Sequence, residues 1–292
     1  MFELNQVGNN TFYLQSPAKI GICRVSENSV YLIDSGNDKD AGRRIRKVLD
    51  EHGWTLLGIL NTHSNADHIG GNAYLQSNTG CKIFAGGIEK CFTERPLLEP
   101  SFLYGGFPCK ELRHKFLMAQ ESKPLDFSSP EFPKEIEIVP LSGHFFDMVG
   151  FRTPDDVVFL ADCLSSKFTL EKYGITFIYD VGEYLRTLES VKSMSAKMFI
   201  PSHADAAENI TELADLNIAK VNEVAEKILA LCAEPCSFET ILQKLFEEYG
   251  LTMTFEQNVL VGSTVRSYLS WLYDNDRLTA DFEGNVLRWR KS

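Results

Sequence analysis

The chain of 292 residues lacks any long hydrophobic run and contains only six histidines. No apolar stretch approaches the ~20 residues that a membrane-spanning helix requires, and the apolar run 157–164 is interrupted by Asp162. Residues 1–6 carry neither a basic segment nor an apolar core, so no secretory signal peptide is expected there. We therefore expect a cytoplasmic protein that has no membrane partner.

Positive charge is also scarce. Lysine and arginine total 29 against 40 aspartates and glutamates, which gives a formal net charge of −11. An acidic chain is poorly suited to binding a phosphate backbone, so nucleic acid is not an expected partner. The hydrophobic fraction of 44% and the charged fraction of 24% are typical of globular domains and exclude a disordered chain.

The seven cysteines are odd in number and irregularly spaced, which argues against a disulfide framework. Cys232 and Cys236 are close enough in sequence to form a metal-binding pair. However, neither a second pair nor a nearby histidine completes the four ligands of a structural zinc site. We therefore interpret all seven as free thiols that pack as small apolar side chains.

Strand-like and helix-like patterns alternate over the first 200 residues, which predicts an α/β or mixed α+β body. The strand-like runs are 11–15, 19–25, 29–33, 56–61, 81–85, 135–141, 151–153, 157–161 and 198–200. The helix-like runs are 38–53, 69–77 and 183–193.

Residues 87–133 differ in texture because they contain six of the eleven prolines. One helix-like piece, 109–121, lies among them. A long irregular segment inside a compact domain is usually a functional loop or lid. The alternative, a surface excursion that merely covers apolar area, stays open at this point.

The C-terminal region has a helical pattern, with helices predicted over 211–231, 238–249 and 259–273. A hairpin follows, with its turn at 283–285. This order predicts a small winged-helix-like domain over 211–292, after a first domain over 1–210. Residues 232–292 hold six basic and nine acidic side chains, and Arg266 is the single cation of the third helix. We therefore interpret the region as a packing, dimerising or substrate-covering module.

A buried strand runs directly into a segment with two histidines and an aspartate: His63, Asp67 and His68. Gly70 and Gly71 follow and leave room for the close approach of backbone or ligand. Four further polar residues lie at the ends of other predicted strands, namely Asp34, His144, Asp162 and His203. Imidazole and carboxylate together suit zinc, iron or manganese. The other two histidines, His52 and His114, have no comparable context.

This set of residues, in this order, resembles the metallo-β-lactamase-fold hydrolase superfamily. The pattern of that family is His-x-His-x-Asp-His, followed by a distant His, an Asp and a final His. The resemblance covers roughly residues 10–205, and the segments 32–36 (Leu-Ile-Asp-Ser-Gly) and 67–71 (Asp-His-Ile-Gly-Gly) also look like family sequence. It implies a four-layer αβ/βα sandwich with the site along one edge of two sheets.

The resemblance also implies two metal sites that share Asp162. The remaining ligands are Asp67, His68 and His203 in one site, and His63, His144 and the residue at position 65 in the other. Asp34 is then the carboxylate that orients a ligand histidine.

The sequence departs from the family pattern at position 65, where the second histidine of the motif is Asn65. An amide oxygen is a weaker and harder donor than imidazole. We therefore expect the site with His63 and His144 to bind its metal more weakly or to select a harder one. The diiron flavoprotein branch also varies this position, but its flavodoxin-like domain has no counterpart after residue 207.

The activity implied by the resemblance is hydrolysis by a metal-activated water, with Asp67 as the catalytic residue that orients or deprotonates it. We expect zinc, as one or two ions, with iron or manganese as alternatives. The expected substrate is a small ester, thioester or lactone. The alternative is a nucleic-acid-processing or regulatory metal-binding protein of the same fold. Tyr173, Gly174 and Phe177 lie between two of the site residues, and we expect them to pack in the core rather than line a pocket.

Overall fold

In the computed structural model, which describes residues 2–292, two β-sheets face each other across a shared apolar core. The first sheet comprises β1 (Glu3–Gln6), β2 (Thr11–Gln15), β3 (Ile20–Arg24), β4 (Ser29–Ile33), β5 (Thr55–Leu60), β6 (Lys82–Phe84) and β7 (Pro124–Leu125). Its strands lie in chain order, antiparallel from β1 to β4 and parallel from β4 to β7.

The second sheet comprises β8 (Glu137–Pro140), β9 (Val149–Arg152), β10 (Val157–Ser165) and β11 (Met198–His203). Its order is β11-β10-β9-β8, with β10 and β11 parallel and the other pairs antiparallel. The structure thus contains all the predicted strands and adds β1 and β7. These two gave no clear strand pattern because β1 is polar and β7 is a two-residue edge strand that contains Pro124.

Helices cover the outer faces of both sheets. They are α1 (Lys39–Glu51), α2 (Ala66–Ile69), α3 (Asn72–Thr79), α4 (Gly87–Glu94), α5 (Leu98–Tyr104), α6 (Lys167–Tyr173), α7 (Val181–Ser193), α8 (Thr211–Leu231), α9 (Phe238–Tyr249) and α10 (Phe255–Asp274). Ile45 and Leu49 of α1, with Leu75 of α3, pack on the first sheet. Helices α7 and α8 pack on the second. The predicted four-layer arrangement is confirmed.

The prediction of one helix over 69–77 is wrong, because α2 and α3 are separated at Gly70 and Gly71. Both glycines lie against backbone. A Cβ at Gly70 would come within 2.3 Å of the Asn37 carbonyl carbon, and a Cβ at Gly71 within 2.3 Å of the Ser35 carbonyl oxygen. Because these glycines have no side chain, their backbone can lie directly against the backbone that follows β4.

The segment 87–133 is more regular than its prolines indicate, since α4 and α5 occupy its first half. The predicted helix over 109–121 is wrong, because only a 3₁₀ turn forms there, at Lys110–Leu112. Leu112 and Leu117 are both buried in a small cluster with Val259 of α10. Burial of these two leucines stabilises the local turns. A short isolated helix would be only marginally stable here.

The C-terminal region contains α8, α9 and α10, followed by the antiparallel hairpin β12 (Leu278–Glu283) and β13 (Val286–Lys291). Gly284 and Asn285 both have positive φ, as a two-residue hairpin turn requires. The helical region and its hairpin are confirmed, while the domain boundary at 210 and the winged-helix interpretation stay predictions. These helices share one continuous apolar core with the second sheet.

All seven cysteines are unpaired, and five of them are buried. Asn217 of α8 links the C-terminal helices to β10, because its side chain accepts a hydrogen bond from the Ser165 amide and donates to the Ser165 carbonyl. Between residues 2 and 292, no helix combines the length and the apolar character that crossing a membrane requires.

Candidate metal centre

Six of the polar side chains singled out from the sequence converge at one edge of the two sheets. Their ligand atoms form two groups, each within 4.8 Å: Asp67, His68, Asp162 and His203 in one, and His63, His144 and Asp162 in the other. His63 and His144 lie in the loops after β5 and β8, and Asp67 and His68 lie on α2. Asp162 lies within β10, not at a strand end as predicted, and His203 is the last residue of β11. His52 and His114 lie elsewhere, with His114 bonded to Glu256.

Asp162 lies at the centre and belongs to both groups. Its Oδ1 is 3.1 Å from Nε2 of His68, and its Oδ2 is 3.2 Å from Nε2 of His203. On the other side, Oδ2 is 3.6 Å from Nε2 of His144 and 3.9 Å from Nε2 of His63. Asp67 completes the first group, with Oδ2 3.4 Å from Nε2 of His203. One carboxylate therefore lies between two sets of imidazoles.

The backbone of β10 is irregular next to Asp162. The pairing of β10 with β11 shifts register on both sides of Ala161, and Ala161 has a φ of 49°. Bulges of this kind re-aim a side chain, and a non-glycine residue at positive φ stores strain that the surrounding structure must offset. Asp67 and His68 converge because they lie in the first turn of the short helix α2.

Asp34 orients the cluster through hydrogen bonds to Thr62 and to the ring nitrogen of His68 that is not a ligand atom. Its Oδ2 accepts hydrogen bonds from Nδ1 of His68 at 2.8 Å and from the Thr62 hydroxyl at 2.7 Å, and its Oδ1 accepts from the Thr62 amide at 2.8 Å. On the far side of the cluster, Nδ1 of His203 lies 3.0 Å from the Pro17 carbonyl. These contacts turn Nε2 of both histidines inward, as the outer partners of metal-ligating histidines do.

The polar atoms at the centre meet a simple test of whether the residues suit a cation. Nε2 of His63, Nε2 of His68 and Oδ1 of Asp162 are buried, and none makes a well-aligned hydrogen bond among residues 2–292, although the last two atoms lie 3.1 Å apart. A buried polar atom without a partner costs roughly 1–3 kcal/mol, so three together indicate a missing interaction. Imidazole nitrogens and a carboxylate oxygen are suitable donors for zinc. The residues fit a divalent cation.

The electric field in the cluster is most favourable to positive charge in the group around Asp67. Burial opposes the charged form of His203, but Asp162 and Asp67 outweigh it and raise its pKa to about 10. Burial also opposes the charged form of His68, yet the same carboxylates raise its pKa well above the usual value. In contrast, burial and the neighbouring histidines lower the pKa of His63. The two groups therefore differ in their attraction for a cation.

Asn65 is partly buried, and its side chain faces a residue that the sequence did not single out. Its Nδ2 donates a hydrogen bond to Oε1 of Glu99 at 2.8 Å. Glu99 lies on α5 and is buried, and burial raises the pKa of its carboxyl well above the usual value. Because the amide nitrogen of Asn65 is directed to Oε1 of Glu99, Oδ1 is the atom of Asn65 left available to a cation.

Glu89 of α4 is a second buried carboxyl that sequence reasoning missed. It accepts hydrogen bonds from the amide and hydroxyl of Ser64, at 3.0 and 2.6 Å, and from the amide of Asp147 at 3.0 Å. It thus joins the loop of His63 to the loop of His144. The sequence offered only a glutamate in a proline-rich segment, and nothing in its spacing signalled burial.

We expect Glu89→Gln to reduce the pH dependence of stability. Burial raises the pKa of Glu89 from 4.5 to about 7. Because the pKa is higher in the folded state, the stabilisation is complete below about pH 4.5 and is lost as the pH rises through about 7. Between pH 5 and 8 the free energy of unfolding should fall by about 2 kcal/mol more in the wild type than in the variant. Urea unfolding of the wild type and the variant at pH 5 and pH 8 checks this. An equal fall in the free energy of unfolding in both chains would contradict it.

A cavity of about 210 Å³ opens onto the cluster, with His144, Asp162 and His203 on one side. Phe177 and Tyr173 line it, contrary to the expectation that they pack in the core rather than line a pocket, although Phe177 also packs against the apolar core. Phe177 packs edge-on against the His144 ring at 5.5 Å, and Tyr173 is exposed. Gly174 does serve packing, since it ends α6 at a φ of 67° and a Cβ there would meet Tyr249.

Two facing sheets with outer helices, and a histidine and aspartate cluster at their edge, define the scaffold of a metal-dependent hydrolase. The chain belongs to the metallo-beta-lactamase superfamily, whose family model matches residues 21–203. The resemblance found in the sequence is thereby confirmed.

Several curated relatives are similar over short stretches. The hydroxyacylglutathione hydrolase of Methylococcus capsulatus is 36% identical over 66 residues, which is 20% of this chain and 26% of that protein. The hydroxyacylglutathione hydrolase of Nitrobacter hamburgensis is 51% identical over 41 residues, which is 14% of this chain and 16% of that protein. The chain thus spans about a quarter or less of the length of these two relatives.

Solved structures are similar over nearly the full length. A beta-lactamase domain protein from Burkholderia ambifaria has a TM-score of 0.75 at 16% identity, covering 99% of this chain and 94% of that one. A metallo-beta-lactamase family protein from Thermus thermophilus has a TM-score of 0.73 at 19% identity, covering 97% of this chain and 99% of that one. At these identities the likeness shows the fold, including the C-terminal helical region.

Proposed function

We propose that this chain hydrolyses a small ester, thioester or lactone with one or two bound zinc ions. The observation that carries this proposal is the position of Asp162 between two groups of imidazoles, in which the buried Nε2 atoms of His63 and His68 have no hydrogen-bond partner among residues 2–292. The name of the similar hydroxyacylglutathione hydrolases supports a thioester in particular. The seven unpaired cysteines accord with a reducing compartment, which we propose is the cytoplasm.

We propose Asp67, His68, Asp162 and His203 as the ligands of the tighter ion, and His63, His144 and Asp162 as those of a weaker one. The chemistry that a divalent cation supplies when bound is a water of lowered pKa and a polarised substrate carbonyl. Asp34 holds Nδ1 of His68 and so fixes the direction of its Nε2.

Asp67 is the residue that we propose orients the water and takes its proton. Its side chain is 41% exposed, whereas that of Asp162 is 9% exposed, so Asp67 is the carboxylate that solvent reaches. In the reaction the water oxygen bonds to the acyl carbon, and the bond from that carbon to the leaving sulfur or oxygen breaks. The proton passes from the water through Asp67 to the leaving group, which gives a carboxylic acid and a thiol or alcohol.

The distribution of cations does not favour the nucleic-acid alternative. The single cation of α10, Arg266, stacks over the ring of Phe238 with its guanidinium carbon 3.8 Å from the ring centroid. It is therefore engaged in packing within the C-terminal region. We propose that residues 211–292 form a winged-helix-like domain that covers the substrate.

Metal removal tests the proposed function. We expect dialysis against a strong chelator to lower hydrolysis of a simple thioester, such as an acyl N-acetylcysteamine, by roughly three orders of magnitude, because several kcal/mol of barrier lowering come from the metal. Zinc should restore the rate. Asp67→Ala should keep the rate low after zinc is added. A chelated chain that retains its full rate would contradict the proposal.

A further inference from the structure

The cavity beside the cluster has walls from two parts of the chain. Ile175 and Phe177 come from the loop after α6, and Gln257, Leu260 and Val261 come from α10 in the C-terminal region. With His144, Asp162 and His203 on the opposite side, any group held in this cavity lies directly beside the cluster. The C-terminal region therefore forms part of the wall of the cavity beside the cluster.

Hydrogen bonds hold the two walls together. The amide of Ile178 donates to the Thr264 hydroxyl at 3.2 Å, and the Ser267 hydroxyl donates to the Tyr179 carbonyl at 2.7 Å. Thr264 and Ser267 both belong to α10, so this helix fixes the loop that carries Ile175 and Phe177. The shape of the cavity is thus set by packing within the chain, which favours a preorganised binding site.

The lining carries no lysine and no arginine, and its aspartate and histidines are the proposed metal ligands. Its other polar groups are neutral, and Gln257 is the one contributed by α10. A buried charge without a partner is costly, so away from the cluster a carboxylate or ammonium has no favourable place against these walls. The volume of about 210 Å³ exceeds the roughly 150 Å³ of an apolar protein cavity that holds benzene.

A second, larger cleft of about 510 Å³ adjoins this cavity and shares Thr169 and His203 with it. Lys19, Lys167 and Asp205 line the cleft, so it carries charged side chains, whereas the walls of the cavity away from the cluster are uncharged. A substrate that spans both spaces places its reacting bond near His203. The apolar part then lies in the cavity and the polar leaving group in the cleft.

We propose that the cavity binds the acyl group of the substrate and selects uncharged, apolar acyl groups about the size of a benzene ring, with α10 as the selective wall. This inference rests on the proposed hydrolase function. It assigns to this chain a substrate class whose acyl part is apolar, in contrast to a hydroxyacyl group.

Matched thioesters with one leaving group test the selectivity. We expect the zinc-loaded chain to hydrolyse benzoyl-N-acetylcysteamine with a kcat/KM at least about 100-fold above that of the hemisuccinyl thioester, because the second places a carboxylate against an apolar wall. The lactoyl thioester should lie between them. Equal values for the benzoyl and hemisuccinyl thioesters would overturn the inference while leaving the hydrolase function intact.

A charge placed on α10 should change this preference. We expect Gln257→Lys to reduce the benzoyl-to-hemisuccinyl ratio at least about tenfold, since the new cation opposes the apolar group and pairs with the carboxylate. Asn258→Lys adds the same charge at an exposed position outside the cavity lining and is the control. A ratio that changes equally in both variants would contradict a selective role for the wall.

Binding without catalysis separates the two proposals. We expect benzamide to bind the metal-free wild-type chain in saturation-transfer NMR, with succinamate giving no signal, and Gln257→Lys to weaken benzamide binding. If no thioester is hydrolysed, the proposed function fails and this binding comparison alone decides the inference. Equal binding of benzamide and succinamate would then overturn it.

Discussion

Replacing Asp162 with alanine is expected to abolish metal binding at both groups and to remove nearly all hydrolysis. This carboxylate lies within 3.9 Å of Nε2 of all four histidines of the cluster, so its loss takes a ligand from each group. Several kcal/mol of transition-state stabilisation depend on the metal, and kcat/KM should fall by roughly three to five orders of magnitude. Metal content by mass spectrometry and thioester hydrolysis measure both effects.

Asp162→Asn is the companion variant, because it keeps the volume of the side chain and changes only its charge and acceptors. We expect it to lose metal as well, with a circular dichroism spectrum like that of the wild type. Asp215→Ala removes an exposed carboxylate of α8 that pairs with Lys192 and is the matched control. An Asp162→Ala chain that keeps its metal and its rate would show that the ligands lie elsewhere.

Replacing Asp34 with asparagine is expected to weaken metal binding from outside the cluster. Asp34 accepts three hydrogen bonds, and an amide group cannot accept at both of its ends. We expect zinc affinity to fall about 10- to 100-fold, because the partner that orients His68 is lost. The metal-free chain should also lose about 1–3 kcal/mol of unfolding free energy, since a buried donor loses its acceptor.

Competition with a coloured chelator measures the zinc affinity of this variant. Asp40→Asn provides the control, because Asp40 is an exposed residue of α1 whose carboxylate contacts Arg43. Unchanged zinc affinity in Asp34→Asn would mean that Asp34 stabilises the fold without acting on the cluster.

The family resemblance predicted the two-sheet body, and the sequence brought forward the six residues that converge, because each lies at or beyond the end of a predicted strand. Strand ends at one edge of a sheet lie close together, so order along the chain carried information about position in space. Asp34 was found in the same way, as a polar residue directly after β4.

The surroundings of the cluster were not predictable in this way. Glu89 and Glu99 lie on α4 and α5, in a segment whose prolines indicated irregular structure. Their burial depends on how these helices dock against the loop of Asn65, which no local pattern encodes. The same reason explains the failed helix at 109–121, where contacts with α10 determine the backbone.

The position of α10 beside the cluster was also not predictable from the sequence. Most of its apolar side chains pack in the core, but Leu260 and Val261 also line the cavity. An apolar residue in a helical pattern looks the same whether it faces a core or a substrate. Only the packing of α10 against the loop 175–179 distinguishes the two roles.

Metal stoichiometry tests the central claim most directly, namely that the chain has one strong and one weak cation site that share Asp162. After dialysis against a mild chelator, we expect about one zinc per wild-type chain, because four ligands surround one position and Asn65 leaves the other with fewer strong donors. Asn65→His should raise the value to about two, since Glu99 is already placed to hold a ring N–H at this position. A wild-type chain that retains no zinc, or two equally tight ions, would contradict the account.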